Sequence, residues 1–202
     1  MKKNQLLVLL MISTTALFAD SDFRKLSLEA SAGFSIPTIA YQTRYQSNFR
    51  TLDNKKVAIR YMLNPKMGVR LEYVSDKFYN KPSGSKGCTM RRYGAEFIGN
   101  ISEYVPKLNF MPKLTFIGHA GLGYSTLLSF QEIDRERIGS ITLGVTPTYK
   151  ISPSFSVFAD YTFVLNTYQH HFYTGNVVNE QYNPIVGAHS NLTLGVSYSF
   201  LK

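Results

Sequence analysis

Positions 26–36 alternate without exception. Leu26, Leu28, Ala30, Ala32, Phe34 and Ile36 are apolar, and Ser27, Glu29, Ser31, Gly33 and Ser35 lie between them. Successive side chains of a β-strand point to opposite faces, so this period of two gives a strand one greasy face and one small, polar face. The same period returns at 56–63, 67–73, 92–97, 114–125, 141–149, 155–163 and 192–200. In the second segment Val57, Ile59, Tyr61 and Leu63 alternate with Lys56, Ala58, Arg60 and Met62. A chain built this way is all-β. It has about eight antiparallel strands of roughly 9–11 residues, the length that crosses a hydrocarbon core at a tilt.

A soluble sandwich or lipocalin-like barrel would bury the apolar face and offer the other to water. A solvated face favours Lys and Glu, whereas the second face here is mostly Gly, Ser and Thr. Small side chains suit the narrow interior of a closed up-and-down barrel whose apolar face meets lipid. The aromatic residues agree. Phe34, Tyr73, Tyr93, Tyr124 and Phe163 fall near one end of the segments, and Tyr61, Phe116, Tyr149, Phe155, Tyr198 and Phe200 near the other. All share the greasy face, as two interfacial girdles would. No apolar run is long enough for a membrane-spanning helix.

Connection lengths alternate between short turns and longer loops, at 37–54, 75–89, 126–138 and 164–189. This is the pattern of an outer-membrane barrel, and an even strand count puts both termini on the short-turn, periplasmic side. Two features fit less well. The 100–113 link is long for a periplasmic turn and carries Tyr104, Val105 and Phe110. Pro147 must interrupt a ladder hydrogen bond, expected near the periplasmic rim.

The N-terminus reads as an address. Lys2 and Lys3 precede an apolar run at 6–12, small and polar residues at 13–16, and Ala19 as the last residue before a cut. This is the anatomy of a secretory signal peptide over 1–19, followed by a barrel domain over 20–202. No Cys near the cut suggests a lipoprotein. The lone Cys88, expected in a loop, cannot form an intramolecular disulfide. Removing Lys2 and Lys3 takes the net charge from +9 to +7. A basic exterior can meet anionic lipid head groups and lipopolysaccharide phosphates. The cations are dispersed, so no nucleic-acid partner is expected.

At the chain end, Thr193, Gly195, Tyr198 and Phe200 fit the pattern polar–x–Gly–x–x–aromatic–x–aromatic, with Leu201 and Lys202 after it. This resembles the C-terminal signal read by the barrel-assembly machinery during insertion. With the eight segments, the mature chain resembles the small OmpA/OmpX-like outer-membrane β-barrel family. The resemblance implies a closed eight-stranded transmembrane barrel in contact with outer-membrane lipids. No peptidoglycan-binding domain is expected after the last strand.

An eight-stranded barrel is just wide enough for side chains to fill it. The inward face carries Glu29, Lys56, Arg60, Arg70, Glu72, Arg92, Glu96, His119 and Asp160. Buried charges persist when paired, so a lumen ion-pair network of Glu29, Arg60, Arg70, Glu72, Arg92, Glu96, His119 and Asp160 is expected. Enzymes also occur on this scaffold. His189-Ser190-Asn191 is similar to the His-x-Ser-Asn motif of lipid A deacylases, but it lacks the spacer and no Glu follows. His170 and His171 could ligate a metal, yet no Cys or close carboxylate completes a set, and no cofactor or metal is expected. The first reading is a non-enzymatic envelope protein with a filled lumen, whose loops meet a host or surface ligand. The alternatives are a lipid A-modifying enzyme and a narrow solute or ion pore.

Overall fold

The computed structural model describes residues 24–39, 50–80, 86–108, 111, 113–131, 135–177 and 185–201. The signal peptide read at 1–19 lies outside the described residues, as do parts of all four expected loops.

The strands are β1 (Leu26–Ile39), β2 (Thr51–Met62), β3 (Met67–Tyr79), β4 (Gly87–Asn100), β5 (Leu114–Ser129), β6 (Arg135–Lys150), β7 (Phe155–Gln169) and β8 (Ile185–Leu201). Each pairs antiparallel with the next, and β1 closes on β8 from Leu26↔Leu201 to Ile39↔Ala188. Closure leaves no edge strand unpaired, which lipid would not tolerate.

The alternation sorts side chains as the sequence implies. Leu28, Phe34, Val57, Ile59, Leu71, Phe97, Leu122, Leu143, Leu194 and Val196 are exposed, while Glu29, Lys56, Arg70, Glu72, Glu96, Thr142, Asp160 and Thr193 are buried. A polar interior inside an apolar exterior is the inverse of a soluble core.

Near the loop end the sorting reverses. Past Tyr73, strand β3 turns Ser75 and Lys77 outward and Val74, Asp76 and Phe78 inward. Phe78, Cys88, Met90, Leu127 and Ile138 pack with Tyr173 as an apolar cluster inside the barrel. The outer surroundings therefore change from lipid-like to water-like above the aromatic girdle. The strands also run on beyond the alternating segments, from 12 residues in β2 to 17 in β8. The loops are correspondingly shorter than expected, and Cys88 lies in β4 rather than in a loop.

At the opposite end, the long link holds a single helical turn, α1 (Ile101–Tyr104), and a 3-10 turn at Pro106–Leu108. Ser102 Oγ accepts the Phe116 N–H at 2.9 Å and ties the link to β5. Met62, Ile98 and Ile117 form a small apolar layer inside the wall there. The β6–β7 ladder runs from Gly139↔Thr167 to Val145↔Tyr161, skips Thr146 and Pro147, and resumes at Thr148↔Phe158. The proline, lacking an N–H, thus sits near the short-turn rim without changing the register.

Candidate functional site

The charged layer of the lumen is centred on Arg70. It projects from β3, and its Nε and Nη2 donate to Glu96 Oε2 at 2.8 and 2.5 Å. Its guanidinium also lies 3.5 Å from Glu29, 3.7 Å from Asp160 and 3.9 Å from Glu72. Around this hub Arg60 pairs with Glu29 at 3.0 Å, Arg92 with Glu72 at 2.9 Å and Lys56 with Asp160 at 2.6 Å. His119 stands between two carboxylates, Nδ1 3.2 Å from Glu96 and Nε2 3.2 Å from Asp160. Hydroxyls add to the shell: Thr142 donates to Glu96, and Thr146 and Thr162 donate to Asp160.

The structure thus brings all eight residues of the expected network together. It adds Lys56, whose inward position was clear from the alternation but whose partner across the lumen was not. Lys56, Arg60, Arg70 and Arg92 oppose Glu29, Glu72, Glu96 and Asp160 in equal number. Each of these charges has an opposite charge within 4 Å, which offsets part of the cost of burying it.

A second cluster closes the loop end, and sequence reasoning missed it. Tyr168, between β7–β8 register positions Asn166 and Gln169, takes a left-handed φ of 61°. Beyond it residues 170–177 turn back over the barrel. Tyr173 enters the lumen, its ring centroid 4.6 Å from that of Phe78 and 5.7 Å from that of His189. The Tyr173 hydroxyl accepts from Asn166 Nδ2 at 3.1 Å and lies 3.0 Å from His189 Nδ1. Burial pushes the phenol well above the usual tyrosine range. His189 Nε2 faces Asp76 at 3.6 Å, and Asp76 accepts from Ser35 and Asn54 at 2.5 Å each.

The same segment is tied from above. Glu136 on β6 accepts a 2.9 Å bond from the imidazole of each of His170 and His171, and takes both their backbone N–H groups. Gly175, at φ +85°, crosses so near Gly87 that a Cβ would stand 2.4 Å from its carbonyl oxygen. Part of the loop expected over 164–189 therefore folds into the mouth instead of projecting outward. Among the described residues, no group of three or more His, Cys, Asp or Glu side chains is placed to hold a metal ion.

His189 and Ser190 do not meet. His189 turns into the lumen, while Ser190 takes the opposite face of β8, where it is covered and its Oγ lies 3.1 Å from the Tyr161 hydroxyl. Neighbours on a strand take opposite faces, so the pair lacks the hydrogen bond that a nucleophile and its base require.

No family model matches the chain, and no curated protein matches it. Solved structures do. A major outer membrane protein from Thermus thermophilus aligns at a TM-score of 0.59 and 16% identity, over 88% of this chain and 100% of that one. Neisserial surface protein A aligns at 0.55 and 15% identity, over 89% and 98%. The N-terminal β-barrel domain of Pseudomonas aeruginosa OprF aligns at 0.52 and 14% identity, over 88% and 100%. The fold is that of the small eight-stranded outer-membrane β-barrels.

In this outer-membrane barrel fold, the four residues read as an insertion signal lie on β8. Thr193 and Gly195 face the lumen, and Tyr198 faces outward with its ring stacked near Phe200 at 6.3 Å. A Cβ on Gly195 would meet Phe158 Cζ, Ser31 Cβ and the Ala30 carbonyl oxygen, each at 2.5 Å. Packing alone therefore demands glycine at that position.

Proposed function

We propose that the chain is an integral outer-membrane protein that serves the envelope as a rigid, plugged barrel, with its termini in the periplasm and its loops facing outward. The observation that carries this reading is the filling of the lumen at two heights. Arg70 and its carboxylates span the middle, and Tyr173 with its apolar neighbours occupies the loop end. An ion path would need room between these layers, and a hydrolytic site would need His189 and Ser190 on one face. Thr193, Gly195, Tyr198 and Phe200 serve as the signal for the barrel-assembly machinery. The exposed loop rims are the surface available to a host or surface ligand.

Expression of the full chain in a Gram-negative host tests this reading. Fractionation should place it in the outer membrane as a heat-modifiable band, and mass spectrometry of lipid A should show unchanged acyl chains. A changed acyl pattern that depends on His189 would replace it with the enzyme reading.

A further inference from the structure

Strand pairing lines up the outward side chains of β2–β6 in rows around the barrel. Tyr73, Tyr93 and Tyr124 are cross-strand partners and form one aromatic row. The next row toward the loops is Lys55, Ser75, Arg91, Thr126 and Arg137, again partner to partner. Cations alternate with hydroxyls along it. One row higher, Lys77 and Arg135 flank Thr89 and Leu128.

All five cations are exposed. Lys55 has Asp53 at 3.5 Å, whereas Lys77, Arg91, Arg135 and Arg137 have no carboxylate partner among the described residues. Apart from Asp53, the acids at this height on these strands face away: Asp76 is inside the barrel, and Glu136 is turned to His170 and His171. The outer face of the wall just above the aromatic girdle therefore carries a clear excess of positive charge.

Directly below the tyrosines, Leu71, Ala95 and Leu122 form the next partner row. The short Ala95 between two leucines leaves a shallow, open groove walled by Leu71, Tyr93, Leu122 and Tyr124. Arg91 and Arg137 stand two strand spacings apart, about 9.6 Å. Their guanidiniums can converge on one phosphate over Thr126, in the bidentate geometry that favours arginine.

We propose that this face of β2–β6 binds one phosphorylated lipid of the surrounding leaflet. Its phosphate sits on Arg91 and Arg137, with Lys77, Arg135 and Lys55 beside them, and an acyl chain lies in the Ala95 groove. The occupant is a lipid because the apolar groove and the cationic row lie one above the other, at the heights of a chain and its head group. The site rests on the membrane-spanning reading above.

Native mass spectrometry of the purified, detergent-folded protein tests it with three probes: bis-phosphorylated lipid A, the same lipid dephosphorylated, and inorganic pyrophosphate. The phosphorylated lipid should bind at least about tenfold more tightly than the dephosphorylated one, since two charge-assisted contacts separate them. Arg91→Ala/Arg137→Ala should lose a similar factor, and Ala95→Phe should weaken the lipid but not pyrophosphate. Lys107→Ala/Lys150→Ala, at the opposite rim, should change nothing. Equal binding of the two lipids, undiminished binding by the arginine variant, or pyrophosphate binding as tightly as the lipid would overturn the site. A heat-modifiable band from each variant shows that its barrel has formed. If the wild-type chain itself gives none, the membrane reading falls, and this site with it.

Discussion

The Tyr173 hydroxyl lies 3.0 Å from Nδ1 of His189, so a residue between β7 and β8 is locked to a residue of β8 inside the barrel. Asn166 donates to the same hydroxyl. Tyr173→Phe keeps the ring and removes the oxygen, leaving two buried polar groups without that partner. The expected loss is about 1–3 kcal/mol, read from urea unfolding of the protein in lipid vesicles.

The same residue predicts an alkaline effect. Burial raises the folded phenol well above its ordinary value of 10.0, while an unfolded chain ionises near that value. The stabilising contribution is therefore complete below 10.0 and is lost as pH rises toward the folded value. Wild-type stability should fall more steeply above about pH 10 than that of Tyr173→Phe. Parallel slopes would show that Tyr173 is not buried as described.

Arg70 is the shared partner of Glu29, Glu96 and Asp160. Arg70→Met should cost about 3–5 kcal/mol, because it leaves buried carboxylates uncompensated. Adding Glu96→Met should restore part of that loss, since the second change removes one orphaned charge. Equal unfolding midpoints for the wild type and Arg70→Met would contradict a stabilising role for this ion pair.

Glu136 holds both His170 and His171. Glu136→Ala removes the anchor for the segment that carries Tyr173. Hydrogen exchange at 170–177 should speed up by at least about tenfold, with the strand amides of β3 and β4 unchanged.

Gly195 can be tested for packing apart from signalling. Gly195→Ala should impair barrel formation in purified refolding, where no assembly machinery is present, because its Cβ meets Phe158, Ser31 and Ala30. Phe158→Ala should relieve part of the defect. Normal refolding of Gly195→Ala would leave the signal role as the reason for glycine.

The lipid-facing half of each strand was legible in the sequence because two different surroundings enforce one alternation. Leu28, Val57, Leu71 and Leu194 meet lipid, and Glu29, Lys56, Glu72 and Thr193 meet the lumen. Above Tyr73 and Tyr93 the outside turns polar and the inside apolar, so the pattern inverts and the alternation reads as a strand end. Phe78, Met90 and Ile138 belong to that inverted stretch. The charges of the lumen could be assigned to the inner face, but their partners depend on register across the barrel. Lys56 and Asp160 are 104 positions apart, and no local pattern joins them. Tyr173 was hidden for another reason: its segment follows no period, and only the bend at Tyr168 turns it inward.

The plugged lumen is tested most directly by current. Purified full-length protein, inserted into a planar lipid bilayer, should pass no steady ionic current, while Arg70→Ala/Tyr173→Ala should show intermittent openings because both layers are thinned. A stable, ohmic conductance from the wild-type chain would contradict a filled barrel and make the protein a pore.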